Sequence, residues 1–365
     1  MYFSALKVSR KQQLKGMNIL KSIDKLRRRL MHNLTKNIGN KYPTQNIDLN
    51  KKNAVKRILI CRPNHRLGNL LLITPLLQEV IATFPNCKID LFIKGNLGSI
   101  IFKNYKNIEN IIKLPRKPFK ELINYFKVWI SIKKQPYDLV INVVSGSSSG
   151  KLAAQFSNSK YKFFGNVDED IKSQYDNFEH IAKKPIYSLR NYLNKFGIVE
   201  SNKEIPSINL KLSPSEITEG QKIVKELVND DKKTICIFTY ATDDKCYSES
   251  WWLNFYEKLK TAFSDYNILE VLPVENISMI NFKAPSFYSK DIREIASVIA
   301  NTEVFIGADS GIMHLASSAL IPTVGLFSRA NQNEYQPYNN KSIAVNTNNI
   351  NDIECFKIVK NILVN

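Results

Sequence analysis

"TEVFIGADSGIMHLASSALIPTVGLF", residues 302–327, decides how the chain folds. "TEVFIGA" (302–308) is a short apolar run containing β-branched residues, which suits a strand buried on both faces. "GIMHLASSAL" (311–320) reads as a helix, and Asp309 and Ser310 before it are helix-capping residue types. "PTVGLF" then resumes the strand pattern. Strand, helix and strand at this spacing make a βαβ unit, whose two strands run parallel.

The same alternation extends upstream. "RILIC" (57–61) precedes the periodic "NLLLITPLLQEVIATF", then come "KIDLFI", "IENIIKLP", the helical "FKELINYFKVWISIKK", "YDLVINVV", and a Gly/Ser loop leading into "KLAAQF". After Pro206 and Pro214 the pattern restarts with "SEITEGQKIVKELV", "KTICIFTY", "SWWLNFYEKLKTAF", "NILEVLP" and "SKDIREIASVIAN". The sequence therefore predicts an α/β protein with two Rossmann-like parallel-sheet domains facing a cleft. The first domain is expected over residues 55–205 and the second over 206–340, with a strand and helix over 341–365. Two domains also suit 365 residues, since single cores stop growing well below that length.

Residues 1–54 read as an extension. Residues 1–57 contain 15 Lys and Arg against two acidic residues, so +13 of the +19 net charge lies there. Ile19, Leu20, Ile23, Leu26, Leu30, Met31 and Leu34 recur at helical spacing between Lys21, Lys25, Arg27, Arg28 and Arg29, the pattern of a basic amphipathic helix. It suits an anionic membrane surface, with packing on the body as the alternative. A nucleic-acid arm would want aromatic or base-reading groups nearby, and there are none, so no nucleic-acid partner is expected. No stretch approaches a membrane span or a signal peptide's apolar core, which sets the expectation of a cytoplasmic protein, peripheral on the membrane's inner face. Cys61, Cys87, Cys236, Cys246 and Cys355 are scattered without a CxxC pair, so neither a disulfide framework nor a zinc site is expected, and most read as buried thiols in strands.

Ligands of such folds lie beyond the carboxyl ends of the strands. Three loops stand there. "DSGIMHLA" opens a helix with backbone N–H groups and the positive end of the helix dipole, and Gly311 has no side chain to block approach, so it suits a diphosphate. His314, one turn in, can donate to a phosphate oxygen or sit as a core histidine. "ATDDKCYSESWW" (241–252) offers Lys245, which either neutralises a departing diphosphate or pairs with Asp243 and Asp244 in a solvated turn. Trp251 and Trp252 read as packing residues of the next helix. The loop after "RILIC", "RPNHRLGN" (62–69), carries no carboxylate. No G-x-G-x-x-G, G-x-x-x-x-G-K-[ST] or G-x-S-x-G motif occurs, which weighs against dinucleotide oxidoreductases, P-loop NTPases and α/β-hydrolases.

Taken in order, "RLGNLLLITPLLQEV", "TYATDDKCYSESWW" and "IGADSGIMHLASSALIPTVGLF" resemble glycosyltransferase family 9, the heptosyltransferases of lipopolysaccharide core assembly. The resemblance covers residues 56–330. It implies GT-B architecture and inverting sugar transfer from a nucleotide diphosphate donor, commonly ADP-heptose, with no essential metal and no cofactor. It further implies a donor site at Asp309, Ser310, Gly311 and His314, with Lys245 and Thr242 from the T-D-D-K stretch (242–245). Glu275 is a candidate ribose contact. The acceptor, a cell-envelope glycan or lipid-linked saccharide, would lie against Gly68, with Arg62 and Arg66 binding its anionic groups.

One position departs from the family pattern. Where the family has Gly-Asp, with the aspartate taking the acceptor's proton, this chain has Gly68-Asn69. An amide has no protonation equilibrium near neutral pH, so Asn69 cannot serve as that base. His65 in the same loop is the candidate replacement. The alternative function is a catalytically impaired member that binds nucleotide sugar or glycan in an assembly role.

Overall fold

The structure is a computed structural model that describes residues 29, 31–39, 55–198 and 203–364. The first domain contains β1 (Arg57–Arg62), α1 (Leu67–Leu71), α2 (Thr74–Thr83), β2 (Lys88–Lys94), β3 (Ile108–Leu114), α3 (Leu122–Lys134), β4 (Pro136–Asn142), α4 (Ser148–Phe156), β5 (Asn158–Phe163) and α5 (Lys184–Asn194). Its strands pair in parallel in the order β3-β2-β1-β4-β5. The second contains α6 (Pro214–Val228), β6 (Thr234–Phe238), α7 (Glu249–Ala262), β7 (Asn267–Val271), β8 (Ser286–Phe287), α8 (Ile292–Ile299), β9 (Val304–Ala308), α9 (Gly311–Ser318), β10 (Thr323–Phe327), β11 (Ile343–Asn346) and α10 (Asp352–Val364). Its parallel order is β11-β10-β9-β6-β7-β8.

The central strands are apolar runs because helices cover both faces. Ile58, Leu59 and Ile60 of β1, and Val304, Phe305 and Ile306 of β9, are fully buried. Each such side chain contributes about 1.5–3 kcal/mol relative to exposure. Strand order reverses between β1 and β4 in one sheet and between β6 and β9 in the other. Doubly wound sheets open their ligand crevice at such reversals. The loops after β1, β6 and β9 are the three that the sequence singled out.

Two strands, β5 and β8, fall outside the pattern expected from the sequence. In β5, "NSKYKF", Tyr161 and Phe163 are buried while Lys160 and Lys162 point away, the alternation of an edge strand. The two residues of β8 are too short to leave a pattern. The cysteine expectation needs correction too: four of the five are buried, but only Cys61 and Cys236 lie in strands. Cys87 precedes β2, Cys355 sits in α10, and Cys246 is half-buried in a loop. Trp252 is fully buried under α7, and Trp251 stacks on Tyr247 and Phe255, as packing residues should.

The two domains are tied by buried polar contacts. Arg293 of α8 donates to both carboxylate oxygens of Glu216 and to the carbonyls of Ile100, Leu210 and Lys211, joining the second domain to the first and to the connecting segment. Arg293 and the cap residue Ser213 hold the Glu216 carboxyl down to about 2. Tyr105 and Tyr338 grip the same connection at the Asn209 and Pro206 carbonyls.

Most of the expected basic helix lies outside the described residues, including Ile19, Leu20, Ile23, Leu26, Leu30, Lys21, Lys25, Arg27 and Arg28. Residues 31–35 are helical and end against the body: buried Thr35 donates to the Ser148 hydroxyl at the start of α4. Asn166 caps the following turn at the Gly39 carbonyl.

Candidate active site at the domain cleft

The cleft is built where α1 meets α9. A Cβ on Gly68 would lie 2.8 Å from His314 Cδ2, and one on Gly311 would lie 3.5 Å from the Gly68 nitrogen. The first turns of two helices from different domains thus touch through glycines. Ser310 caps α9, its hydroxyl accepting the Met313 N–H at 3.2 Å. The N–H groups of Gly311 and Ile312 belong to a first turn with no carbonyl behind it to accept them. Together with the helix dipole they make this end attractive to an anion.

Lys245 reaches this point from the β6 loop. Its Nζ donates to Asp309 Oδ2 at 2.5 Å, and Asn331 Nδ2 donates to the same oxygen at 2.9 Å. The solvated-turn reading of Lys245 is therefore overturned: Asp244 pairs with Arg329, while Lys245 crosses to the α9 loop. Asp309 and His314 are buried, and the Tyr335 ring lies near both Lys245 and His314.

On the facing side, Arg62 is 9% exposed and its Nη2 donates to Asn69 Oδ1 at 3.0 Å. A guanidinium has only donors, so Asn69 must present its oxygen to Arg62, leaving its NH2 as the other pole of the amide. The pair has no proton acceptor to spare. Beside it lies a cavity of about 300 Å³, lined by Arg62, Val143, Ser145, Ser188 and Glu334 among others. Arg62 Nε and Ser188 Oγ are buried there without partners. Buried polar groups are rarely left unpaired, and a ligand with acceptor oxygens would satisfy both.

The remaining predicted residues are spread more widely. His65 is half-buried, packed over Gly95, and its pKa is lowered by burial and by Arg116, Lys94 and Arg66. Arg66 is exposed, its backbone N–H bonded to Asn64 Oδ1. Thr242 is exposed at the start of the Lys245 turn. Glu275 stands on the exposed loop after β7. Asn331, Glu334 and Tyr335 were not foreseen, although they follow β10, and their position beyond a strand end was the available signal.

Two buried histidines give the fold a pH dependence. His180 Nε2 donates to the Gln336 carbonyl while Nδ1 accepts the Ala182 N–H, so the ring is neutral and a second proton would face a donor. Burial pushes both His180 and His314 down to about 4. An unfolded histidine takes its proton near 6.5, so the unfolded state binds more protons between pH 6.5 and 4 and stability falls as pH falls through that window. The expected slope is up to about 1.4 kcal/mol per pH unit per histidine. Denaturant unfolding at stepped pH measures it, and His180→Gln, which keeps the donor, should lower the slope by about half, leaving the His314 share. A wild-type stability that stays level from pH 6.5 to 4.5 contradicts this reading.

The two facing doubly wound domains and the cleft between them make up the GT-B architecture. Residues 289–363 match the model of Glycosyltransferase family 9 (heptosyltransferase), so the family's signature lies on the half that carries Asp309, Gly311 and His314. Among solved structures, a family 9 glycosyl transferase from Veillonella parvula DSM 2008 is 18% identical with a TM-score of 0.67, covering 88% of this chain and 99% of that one. The E. coli heptosyltransferase WaaC, solved with ADP, is 14% identical with a TM-score of 0.61 (84% and 99% covered). E. coli ADP-heptose lps heptosyltransferase II is 13% identical with a TM-score of 0.60 (85% and 98% covered). At these identities the likeness speaks for the fold. No curated protein sequence matches the chain.

Proposed function

We propose that the protein moves a sugar, heptose or a close relative, from a nucleotide diphosphate donor to a cell-envelope glycan or lipid-linked acceptor. The observation that carries this is the Lys245–Asp309 pair at the start of α9, facing the Arg62–Asn69 pair across the cleft. In a single inverting displacement, the acceptor hydroxyl attacks the anomeric carbon and gives its proton to the candidate base His65, while the bond to the diphosphate breaks and its electron pair leaves with the phosphate. Lys245 and the α9 N–H groups stabilise the charge that develops there, a role a metal ion fills in other enzymes, so the transfer is metal-independent. Arg62 and the cavity beside it suit an anionic group on the acceptor. The basic extension supports a location on the inner face of the cytoplasmic membrane.

Thermal shift in excess chelator tests the donor side. ADP, or the matching sugar nucleotide, at 100 times its Kd should stabilise the fold by about 2.7 kcal/mol, a rise of several degrees. No response to any nucleotide diphosphate, or a response only after adding magnesium or manganese, overturns the donor assignment or its metal independence respectively.

The Arg62–Asn69 bond also favours a second reading, a protein that binds donor and glycan without transferring. Both inward groups at that point are donors, and a site of donors can hold a sugar hydroxyl but not take its proton.

A further inference from the structure

A helix on a folded domain normally turns its apolar stripe inward. Of the 13 residues of α3, only Ile132 is fully buried. Tyr125, Val128 and Trp129 pack partly against the first domain's core, yet a second apolar stripe faces out: Leu122, Ile123 (72% exposed), Phe126 (62%) and Ile130. Their spacing of three or four residues lines them along one side. Phe156 of α4 is exposed beside them, its ring 6.1 Å from Trp129. Contiguous large apolar side chains in water mark a contact surface.

Charge says what the surface contacts. Residues 113–134 contain seven basic residues and one acidic, a net +6, and all seven basic side chains are exposed. Residues 58–365 as a whole also carry a net +6. The entire positive excess of the body is therefore concentrated at this helix and its approach.

We propose that the outer face of α3 docks on an anionic phospholipid bilayer, the aromatic and aliphatic stripe entering the headgroup boundary and the lysines meeting lipid phosphates. A cavity of about 670 Å³ opens at the same face, walled by Leu122, Tyr125 and Phe126 of α3 and reaching Pro63 in the β1 loop. Docking in this pose brings a lipid-anchored acceptor to the mouth of a cavity that leads to the catalytic loop. This last consequence rests on the transferase reading; the docking itself does not.

Co-sedimentation of the full chain with vesicles tests it without any transfer assay. Binding is expected to vesicles containing phosphatidylglycerol and to be at least tenfold weaker to pure phosphatidylcholine. Ile123→Glu combined with Phe126→Glu should lower the partition coefficient at least tenfold, with the melting temperature and ADP response unchanged. A Phe126→Trp variant should show a blue-shifted emission on the anionic vesicles. Unaltered binding by the double variant, or no blue shift, overturns the proposal and leaves the extension as the anchor. So does a wild-type dimer that ignores vesicles and dissociates in the double variant, which makes the face an interface between copies.

Discussion

Asn69→Asp is expected to raise the turnover number at least ~100-fold at pH 7, the scale of one positioned general base. The substitution changes one atom group in a site already shaped for it. Arg62, whose Nη2 bonds the Asn69 oxygen, would bond the new carboxylate with charge assistance and keep it ionised, since a neighbouring cation lowers a carboxyl pKa. The second carboxylate oxygen then stands where the amide NH2 stood, converting a donor into a proton acceptor. Steady-state rates with saturating donor decide the matter. An unchanged turnover number means that the proton goes elsewhere in the wild-type reaction, with His65 the next group to replace.

The second large effect belongs to Lys245. Lys245→Ala should reduce the turnover number about 10²–10³-fold, as removal of one stabilising donor does at other sites where charge develops. The pairing with Asp309 explains why the effect falls on turnover. Asp309 neutralises Lys245 before the donor arrives, so the cation gains most when the leaving diphosphate acquires its extra charge. Asp309→Asn supplies the contrast, releasing Lys245 to bind ADP more tightly in the ground state. A Lys245→Ala enzyme with full turnover and only a raised donor KM contradicts this division of roles.

The architecture was legible because helices cover both sheet faces, which turns strands such as β1 and β9 into apolar runs that stand out from their surroundings. Edge strand β5 hid for the opposite reason, half its residues meeting water. The proposed donor loop showed through Asp309-Ser310-Gly311, where cap and glycine are adjacent in the chain. The partnership of Lys245 with Asp309 spans 64 residues and left no local mark; Asp243 and Asp244, its sequence neighbours, suggested a different pairing. Asn331 and Tyr335 escaped for the same reason, since amides and phenols after a strand carry no spacing that separates a site from a loop.

Gly68 and Gly311 also set a length. Transfer demands that two molecules held by separate domains come within about 3–3.5 Å at the reacting atoms. Here the domains abut where neither backbone carries a side chain, and a single methyl at residue 68 already intrudes on the His314 ring. The contact works as a gauge: the bare α-carbons of two glycines define how narrow the gap between the two halves can be.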